Sequence, residues 1–284
     1  DDLGVIEERD FTDAHLDAVL ALPTVDVEAI RAAGFKVALD AVNSVGGIIM
    51  PRLLERMGVE CVCVNCEPTG EFAHNPEPLP SNLVELCEAV VANGADFGIS
   101  VDPDVDRLAL ICENGQPFGE EYTLVSVADY LLSRIYNEAL ETGKSIEEIA
   151  APYQMVTSSN LSSSRALRDV TEQYGGEYCT AAVGEVNVTT KMREAGALIG
   201  GEGNGGVIYP ALHYGRDAMV GVALFLTNLA YKKMKVSELR ASYPEYVIAK
   251  NKIELSDSAL IDRILEEVKT VYAAEDINTI DGVK

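Results

Sequence analysis

Residues 95–109, with the sequence ADFGISVDPDVDRLA, place a cluster of aspartates between two apolar segments. Asp102, Asp104 and Asp106 alternate with small or apolar residues, and Arg107 follows directly. The apolar positions on either side predict a strand, a tight loop and a second strand. A spacing of two places the carboxylates on one side of an extended chain, whereas in a helix it would rotate each one by roughly 200°. The stretch therefore predicts an acidic loop that joins two strands.

The acidic loop indicates a divalent cation. Like charges a few ångströms apart repel by about 4 kcal/mol per pair at an effective dielectric constant of about 20. A hard cation offsets this repulsion, and Mg²⁺ is typically held by carboxylates together with a substrate phosphate. Arg107 agrees with a phosphate nearby, because a guanidinium binds phosphate bidentately. We predict that Asp102, Asp104 and Asp106 bind Mg²⁺, and a solvated acidic turn is the open alternative.

A calcium loop of the EF-hand type is excluded at this position. Such a loop needs glycine in its sixth place and a helix after it. Here the sixth residue is Arg107, and the apolar segment Leu108–Cys112 is typical of a strand.

The composition is that of a globular protein with about two domains. The chain has 284 residues, of which 48% are hydrophobic and 24% charged, and these fractions are ordinary for soluble domains. The formal net charge of −24 argues against nucleic acid and anionic membrane surfaces as partners. No apolar run approaches the roughly 18 residues of a membrane span, and no basic segment opens the sequence. We expect a cytoplasmic protein.

The six cysteines indicate neither zinc nor disulfides. Cys63 and Cys66 have the C-x-x-C spacing, but no second pair follows. A lone C-x-x-C is a weak signal, and buried reduced thiols of a cytosolic protein are the favoured interpretation.

Helices and strands alternate along most of the chain. Predicted strands at 35–39 and 59–64 and the strand before the acidic loop are separated by helical patterns. After a predicted linker at 142–145, further strands are expected at 153–157, 177–180 and 198–200. The βαβα order predicts two tandem three-layer α/β domains with mostly parallel mixed sheets. The acidic loop would then lie at the carboxyl end of a strand, where such sheets bind ligands.

The pattern changes after Pro244. Residues 246–255 alternate as in a strand, and residues 257–273 are typical of a helix capped by Ser256 or Asp257. One strand and one helix cannot bury an apolar face alone. We expect a partial C-terminal α+β piece, and the predicted divisions are residues 1–143, 144–243 and 244–284.

The glycine-rich loop at 200–206, GGEGNGG, is the second candidate site. A dinucleotide fingerprint would require a helix next, but residues 207–209 are typical of a strand. Bare glycines allow close approach of a ligand, while Glu202 and Asn204 present acceptors and a donor to hydroxyl groups. This chemistry suits a sugar, and a glycine-rich hairpin with two solvated polar residues is the open alternative.

Together the two loops resemble those of the α-D-phosphohexomutases: phosphoglucomutases, phosphomannomutases and phosphoglucosamine mutases. The segment DPDVDR at 102–107 is similar to that family's metal loop, D-G/P-D-x-D-R, and GEGNGG at 201–206 to its sugar loop, G-E-x-S/N-G-x. Further similarities are VGE at 183–185, HNPEPLP at 74–80 and YGRDA at 214–218. The form of the glycine loop resembles the branch with archaeal-type phosphoglucosamine mutases and phosphomannomutases.

The resemblance implies a protein of four domains around a cleft, of which this chain supplies the two middle ones and the start of the fourth. The family's phosphoserine loop, T-A-S-H-N-P, and its phosphate-binding loop, R-x-S-N/G-T-E-P, have no counterpart in this sequence. We therefore expect domains one and four of the same protein as partners, no nucleophile within residues 1–284, and no turnover by this chain alone.

The implied reaction interconverts hexose 1-phosphate and 6-phosphate through a phosphoserine and a bisphosphate intermediate. The Asp cluster would hold Mg²⁺, and Arg107 would act at the phosphoryl group or the sugar. Glu202 and Asn204 would bind two sugar hydroxyls. Glu185 stands where some relatives carry histidine, which leaves the general base open. The further candidates for substrate contact are Glu185 and Arg216, with Arg165 and Lys191 as additional candidates for phosphate.

Functions of two other classes share part of this sequence pattern. A non-catalytic module that binds metal and sugar phosphate is the alternative, because the nucleophile is absent from the sequence. A phosphatase similar to haloacid dehalogenases is not favoured, since Asp104-Val105-Asp106-Arg107 departs from the D-x-D-x-T/V pattern.

Overall fold

Two four-stranded sheets organise the chain in the computed structural model, which describes residues 4–5, 7–248, 259–275 and 277–283. The first sheet has the order β2-β1-β3-β4 and comprises β1 (Lys36–Asp40), β2 (Glu60–Val64), β3 (Phe97–Val101) and β4 (Leu108–Cys112). The second has the order β6-β5-β7-β8 and comprises β5 (Gln154–Asn160), β6 (Glu177–Ala181), β7 (Ala197–Glu202) and β8 (Gly206–Ile208).

Each sheet is parallel except for one antiparallel edge strand. β1 pairs in parallel with β2 and β3, and β4 runs antiparallel to β3. β5, β6, β7 and β8 repeat this arrangement. The prediction of two tandem α/β domains with mostly parallel mixed sheets is confirmed. Both loops of interest join a parallel strand to its antiparallel neighbour, so they occupy equivalent places in the two sheets.

Helices fill the connections and cover the sheets. The first half contains α1 (Thr12–Leu20), α2 (Val27–Ala33), α3 (Gly46–Arg56), α4 (Val84–Asn93), which follows a 3₁₀ turn (Pro80–Asn82), and α5 (Glu120–Thr142). The second half contains α6 (Ile146–Ala150), α7 (Ala166–Gln173), α8 (Glu185–Ala195), α9 (Ala218–Lys232), α10 (Val236–Ala241) and α11 (Ala259–Val271). Among the described residues, none of these helices is both long and apolar enough to cross a membrane.

The two long helices α5 and α9 join the two halves into one core. α5 packs against α7 and β7 as well as β4, and α9 packs against α1 and α2. On α9, the Phe225 ring meets Phe97 of β3 and Phe118 edge-on at 5.4 and 5.7 Å between centroids. The Thr123 hydroxyl on α5 donates to the Leu108 carbonyl at 2.8 Å. This shared packing fixes the loop ends of the two sheets relative to each other.

The predicted linker at 142–145 is shorter than expected. α5 continues to Thr142, and Ser145 already caps α6 through a capping box with Glu148. The short helices α6 and α10 were not predicted, because a helix of one or two turns carries little periodicity.

The predicted strand at 246–255 is not present over residues 246–248. The Tyr246 backbone amide donates instead to the Tyr122 hydroxyl at 3.0 Å, so a side chain takes the place of a strand partner. The rest of that strand and the caps Ser256 and Asp257 lie outside the described residues. The predicted helix that follows is α11.

The cysteines are free, as expected, but the prediction that they are buried is wrong for most of them. Cys112 on β4 is buried, whereas Cys63 is exposed and the other four are half-buried. For Cys61 and Cys63 the reason is the sheet order, which places β2 at an edge. Cys61 and Cys63 on this edge strand approach each other to 3.9 Å between sulfurs.

Candidate functional site

The acidic loop (residues 102–107) and the glycine loop (residues 200–206) are in direct backbone contact. Arg107 faces Gly206 across an antiparallel bridge, and the Leu108 amide donates to the Gly205 carbonyl at 3.0 Å. Gly205 has φ +92°, and a Cβ there would lie 2.5 Å from the Leu108 oxygen. Only a residue without a side chain allows this approach. The two candidate sites of the sequence are therefore one site.

Hydrogen bonds from three directions fix the acidic loop. Asp102 Oδ1 accepts from the amides of Asp106 and Arg107, both at 3.0 Å. The Val105 carbonyl accepts from the Ala218 amide at the start of α9, at 3.0 Å. The Ser44 hydroxyl donates to the Pro103 carbonyl at 2.7 Å. Val105 itself adopts φ +62°, a conformation that a β-branched residue rarely takes.

The three aspartates converge as a cation site requires. One carboxylate oxygen from each of Asp102, Asp104 and Asp106 lies within 4.8 Å of the others. Burial, together with repulsion from Asp102, raises the pKa of Asp106 to about 7 although Arg216 opposes the shift. Asp106 Oδ1 is buried and accepts no hydrogen bond from any described residue. The donor set fits a hard divalent cation, which would relieve the repulsion and bind this oxygen directly.

Arg216 lies between three carboxylates from three elements. Its guanidinium binds Asp106 of the acidic loop through Nη2, and Nη1 lies 2.9 Å from Glu202 Oε2 of the glycine loop. Nε lies 3.4 Å from Glu185 Oε2 at the start of α8, and the Arg216 amide donates to Glu185 Oε1 at 3.0 Å. The side chain is 14% exposed. These carboxylates occupy the guanidinium, so the predicted contact of Arg216 with substrate stays a prediction.

Glu202 and Asn204 have different surroundings. Glu202 is buried, and its Oε1 accepts from Asn160 Nδ2 at 2.7 Å. Asn204 is half-buried and faces a cavity of about 140 Å³ that it shares with Arg107. Arg107 Nε lies 3.5 Å from Asp102 Oδ2. The rest of the cavity wall is formed by Glu77, Pro78, Leu79 and Glu120.

Lys191 and Arg165 are not brought into this cluster. Lys191 pairs with Glu194 along α8 at 3.7 Å. Arg165 is exposed at the N-terminal end of α7. Their predicted contact with phosphate finds no support in these positions.

Sequence reasoning missed several residues that build the site. Asn160, at the end of β5, holds both Glu202 and the Ser163 hydroxyl, the latter at 2.8 Å, and that hydroxyl accepts from the Gly203 amide at 2.9 Å. The run NLSSS at 160–164, shortly after the strand predicted at 153–157, was the signal, since ligands bind at the carboxyl ends of parallel strands.

The segment 74–80 is held against the first sheet by His74. Its Nε2 lies 3.0 Å from Asp40 Oδ2 at the end of β1, where Asp40 is completely buried. Val42 and Asn43, which follow β1, have φ of 48° and 54°. Such strained backbone is typical of sites where geometry is fixed for function. The anchored segment places Glu77 and Leu79 at the cavity.

His15, His213 and Asp217 form a second cluster, which the sequence analysis did not predict. Both histidine Nε2 atoms reach Asp217 Oδ2, at 2.8 and 3.0 Å, close enough for a shared metal. However, the Gly215 amide donates to His213 Nδ1 at 3.0 Å. His213 Nε2 therefore carries the proton and donates, whereas a metal-binding histidine donates through its other nitrogen. The two histidines therefore hold Asp217, the N-cap residue of α9, in place through hydrogen bonds.

Two family models match the chain. The model of phosphoglucomutase/phosphomannomutase alpha/beta/alpha domain II matches residues 13–115. The model of domain III of the same family matches residues 126–246. The first match contains the acidic loop and the second contains the glycine loop.

Curated relatives are similar over nearly the whole chain. A phosphoglucomutase/phosphomannomutase of Thermococcus kodakarensis is 33% identical over 287 residues, covering 100% of this chain and 58% of the relative. A phosphoglucosamine/phosphogalactosamine mutase of Sulfurisphaera tokodaii is 31% identical, covering 93% of this chain and 55% of the relative. The chain thus spans little more than half the length of these relatives.

Solved structures share the fold. A phosphoglucomutase/phosphomannomutase family protein from Burkholderia thailandensis superposes with a TM-score of 0.78 at 26% identity, covering 98% of this chain and 55% of that one. An N-acetylphosphoglucosamine mutase of Aspergillus fumigatus, solved with GlcNAc-6P and magnesium, has a TM-score of 0.54 at 13% identity and covers 91% of this chain and 56% of that one.

Proposed function

This chain belongs to the phosphoglucomutase/phosphomannomutase family, and from this premise we propose that it forms the metal-binding and sugar-binding part of a phosphohexomutase. The reaction would interconvert hexose 1-phosphates and 6-phosphates, with gluco-, manno- and glucosamine phosphates as the substrate class that the relatives' names support. One observation carries the proposal: the acidic loop and the glycine loop meet through Leu108 and Gly205. A non-catalytic binding module is not favoured, since the relatives are named as mutases.

We propose Mg²⁺ as the cofactor, held by Asp102, Asp104 and Asp106. The convergent carboxylates support this assignment, as does the buried Asp106 Oδ1, which accepts no hydrogen bond from the described residues and lies 3.8 Å from Arg107 Nε. When bound, the ion would stabilise the negative charge on the phosphoryl group during its transfer. Asp104 is exposed, so the site is open on the side from which a phosphate must approach.

The cavity between Arg107 and Asn204 is our candidate for the sugar-phosphate position. Arg107 is the positively charged side chain in the cavity wall and would contact the phosphate or the sugar, while Asn204 would bind a hydroxyl. Glu202, within the glycine loop, would accept from a second hydroxyl, while Asn160 and Arg216 hold its carboxylate in place. Glu185 would act through Arg216, which it binds through both the backbone amide and Nε.

The phosphoryl carrier would come from another domain of the same protein. We propose that domains one and four complete the cleft, with a phosphoserine as donor and a bisphosphate as intermediate. The free thiols also favour a reducing compartment such as the cytoplasm.

Calorimetric titration of residues 1–284 with Mg²⁺ and Mn²⁺ tests the metal assignment. We expect saturable binding that Asp104→Asn weakens by at least tenfold, because one of three ligands becomes neutral. Asp262→Asn, on the exposed face of α11, is the matched control and should bind as the unaltered chain does. Equal affinity of the Asp104 variant and the control would remove the acidic loop as the metal site.

A further inference from the structure

Asp106 divides its two carboxylate oxygens between two tasks. Oδ2 binds the Arg216 guanidinium, whereas Oδ1 is buried, accepts no hydrogen bond from the described part of the chain and has a longer ion-pair contact of 3.8 Å with Arg107 Nε. A carboxylate accepts from both oxygens, so an ion at Oδ1 leaves the bond at Oδ2 in place. Arg216, which binds Oδ2, therefore sets the orientation of Asp106 toward the other aspartates.

The same guanidinium reaches the glycine loop. Nη1 lies 2.9 Å from Glu202 Oε2, and Glu202 Oε1 accepts from Asn160 at 2.7 Å. A continuous chain of charged and polar contacts thus runs from the acidic loop of the first sheet to the end of β5 in the second. The side chains of Asp106, Arg216 and Glu202 are 18%, 14% and 7% exposed, so water screens these contacts little.

The glycine loop is shaped around the Arg216 stem. A Cβ on Gly206 would lie 2.4 Å from Arg216 Cδ and 3.1 Å from Cγ. Gly206 therefore leaves room for this side chain to pass between the two loops. The backbone of the glycine loop therefore determines where the Arg216 side chain lies.

We propose that Arg216 is a positioning residue that couples the cation site to the sugar loop: it orients Asp106 for the metal and transmits metal binding to Glu202. This inference rests on the proposed metal site. In place of the substrate contact predicted from the sequence, the proposal assigns Arg216 an indirect role, through Asp106 at the cation and Glu202 at the sugar.

A role of the Arg216 charge alone and a positioning role predict different metal affinities when Arg216 is substituted. A guanidinium near a cation site repels the cation, so a role of charge alone predicts unchanged affinity in Arg216→Lys and tighter binding in Arg216→Gln. A positioning role predicts weaker binding in both, because Lys cannot reproduce the forked contacts. Loss of a group that orients a metal ligand typically costs 10–100-fold in affinity.

The experiment combines Mn²⁺ titration followed by electron paramagnetic resonance with amide NMR of residues 1–284 during Mg²⁺ addition. In the unaltered chain we expect shifts at Asp104 and Asp106 and also at Gly203 and Gly205. Arg216→Lys should raise the Mn²⁺ dissociation constant about 10–100-fold, and at saturating Mg²⁺ the shifts at the two glycines should disappear. Arg193→Lys, whose guanidinium stacks on Tyr214 at 3.8 Å, is the matched control.

Glu202→Gln serves as a second variant that leaves Arg216 on Asp106. It should keep the Mn²⁺ affinity within about threefold and reduce the glycine-loop shifts, and it decides the question if Arg216→Lys does not fold. Unchanged affinity and unchanged shifts at Gly203 and Gly205 in these variants would overturn the coupling. Absence of metal binding by the unaltered chain would instead contradict the proposed function itself.

Discussion

The Leu108 amide donates a 3.0 Å hydrogen bond to the Gly205 carbonyl, which joins the first residue after the acidic loop to the glycine loop. Leu108 also begins β4, and its carbonyl accepts from Thr123 on α5. One residue thus links an edge strand, a long helix and the opposite loop. The distance between the candidate metal ligands and the candidate sugar ligands is set by backbone contacts, which a change of side chain elsewhere will not easily alter.

Gly205→Ala should destabilise the fold well beyond the usual cost of a residue with positive φ. The new Cβ would lie 2.5 Å from the Leu108 oxygen, and such overpacking adds about 1–3 kcal/mol. Gly175→Ala is the control, because Gly175 has φ +75° and no atom within 4 Å of its added Cβ. Urea unfolding measures both. Equal losses of unfolding free energy in the two variants would mean that the loops do not meet as described.

Asn160→Ala should lower the free energy of unfolding by about 1–3 kcal/mol, the cost of leaving a buried acceptor without its donor. Asn160 and Glu202 are both buried. The control is Asn93→Ala, which removes an exposed bond to the Ala89 carbonyl and should change stability by about 0.5 kcal/mol or less. If urea unfolding gave the two variants the same stability, Asn160 would not be holding Glu202.

The contribution of His15 to stability should fall as the pH rises. The hydrogen bond to Asp217 raises the pKa of His15, while hydrogen bonds from His15 and His213 hold the pKa of Asp217 below its usual range despite burial. Protonated His15 therefore stabilises the folded chain fully below its unfolded pKa of about 6.5, and this gain is lost as pH passes the higher folded value.

Unfolding free energies of the unaltered chain and His15→Gln, measured from about pH 5 to about pH 9, test this sign. Glutamine keeps a donor for Asp217 but cannot become charged. The difference between the two proteins should be largest at the acid end of the range. A difference that grows toward alkaline pH would contradict the pairing of His15 with Asp217.

Local patterns predicted the elements that frame the site. The alternation around Asp102–Asp106 predicted two strands and a loop, and the apolar residues on either side of the glycine run at 200–206 predicted one strand before it and one after it, because turn chemistry and apolar periodicity depend on neighbours in sequence. The exposure of Cys63 was not predictable in this way, since it depends on which strand lies at the sheet edge.

The sequence also did not predict contacts between segments that are far apart along the chain. Arg216 and Asp106 are 110 positions apart, and Asn160 meets Glu202 across two strands of a sheet whose order the sequence did not state. The residues were visible as polar groups near strand ends. The contact of Arg216 with Asp106 follows from the packing of α5 and α9 between the two sheets, whereas that of Asn160 with Glu202 follows from the pairing of β5 with β7.

The central claim is that the joined loops serve magnesium-dependent phosphoryl transfer on a hexose phosphate, and ³¹P NMR of the complete gene product tests it most directly. With glucose, mannose or glucosamine 1-phosphate, a 1,6-bisphosphate activator and Mg²⁺, we predict conversion to the 6-phosphate that Asp104→Asn abolishes. Glu202→Gln should lower kcat/KM roughly ten- to a few-hundred-fold, as expected for loss of a charged hydrogen-bond acceptor. Failure to convert any of these sugars, or conversion by Asp104→Asn at the rate of the unaltered protein, would contradict the account.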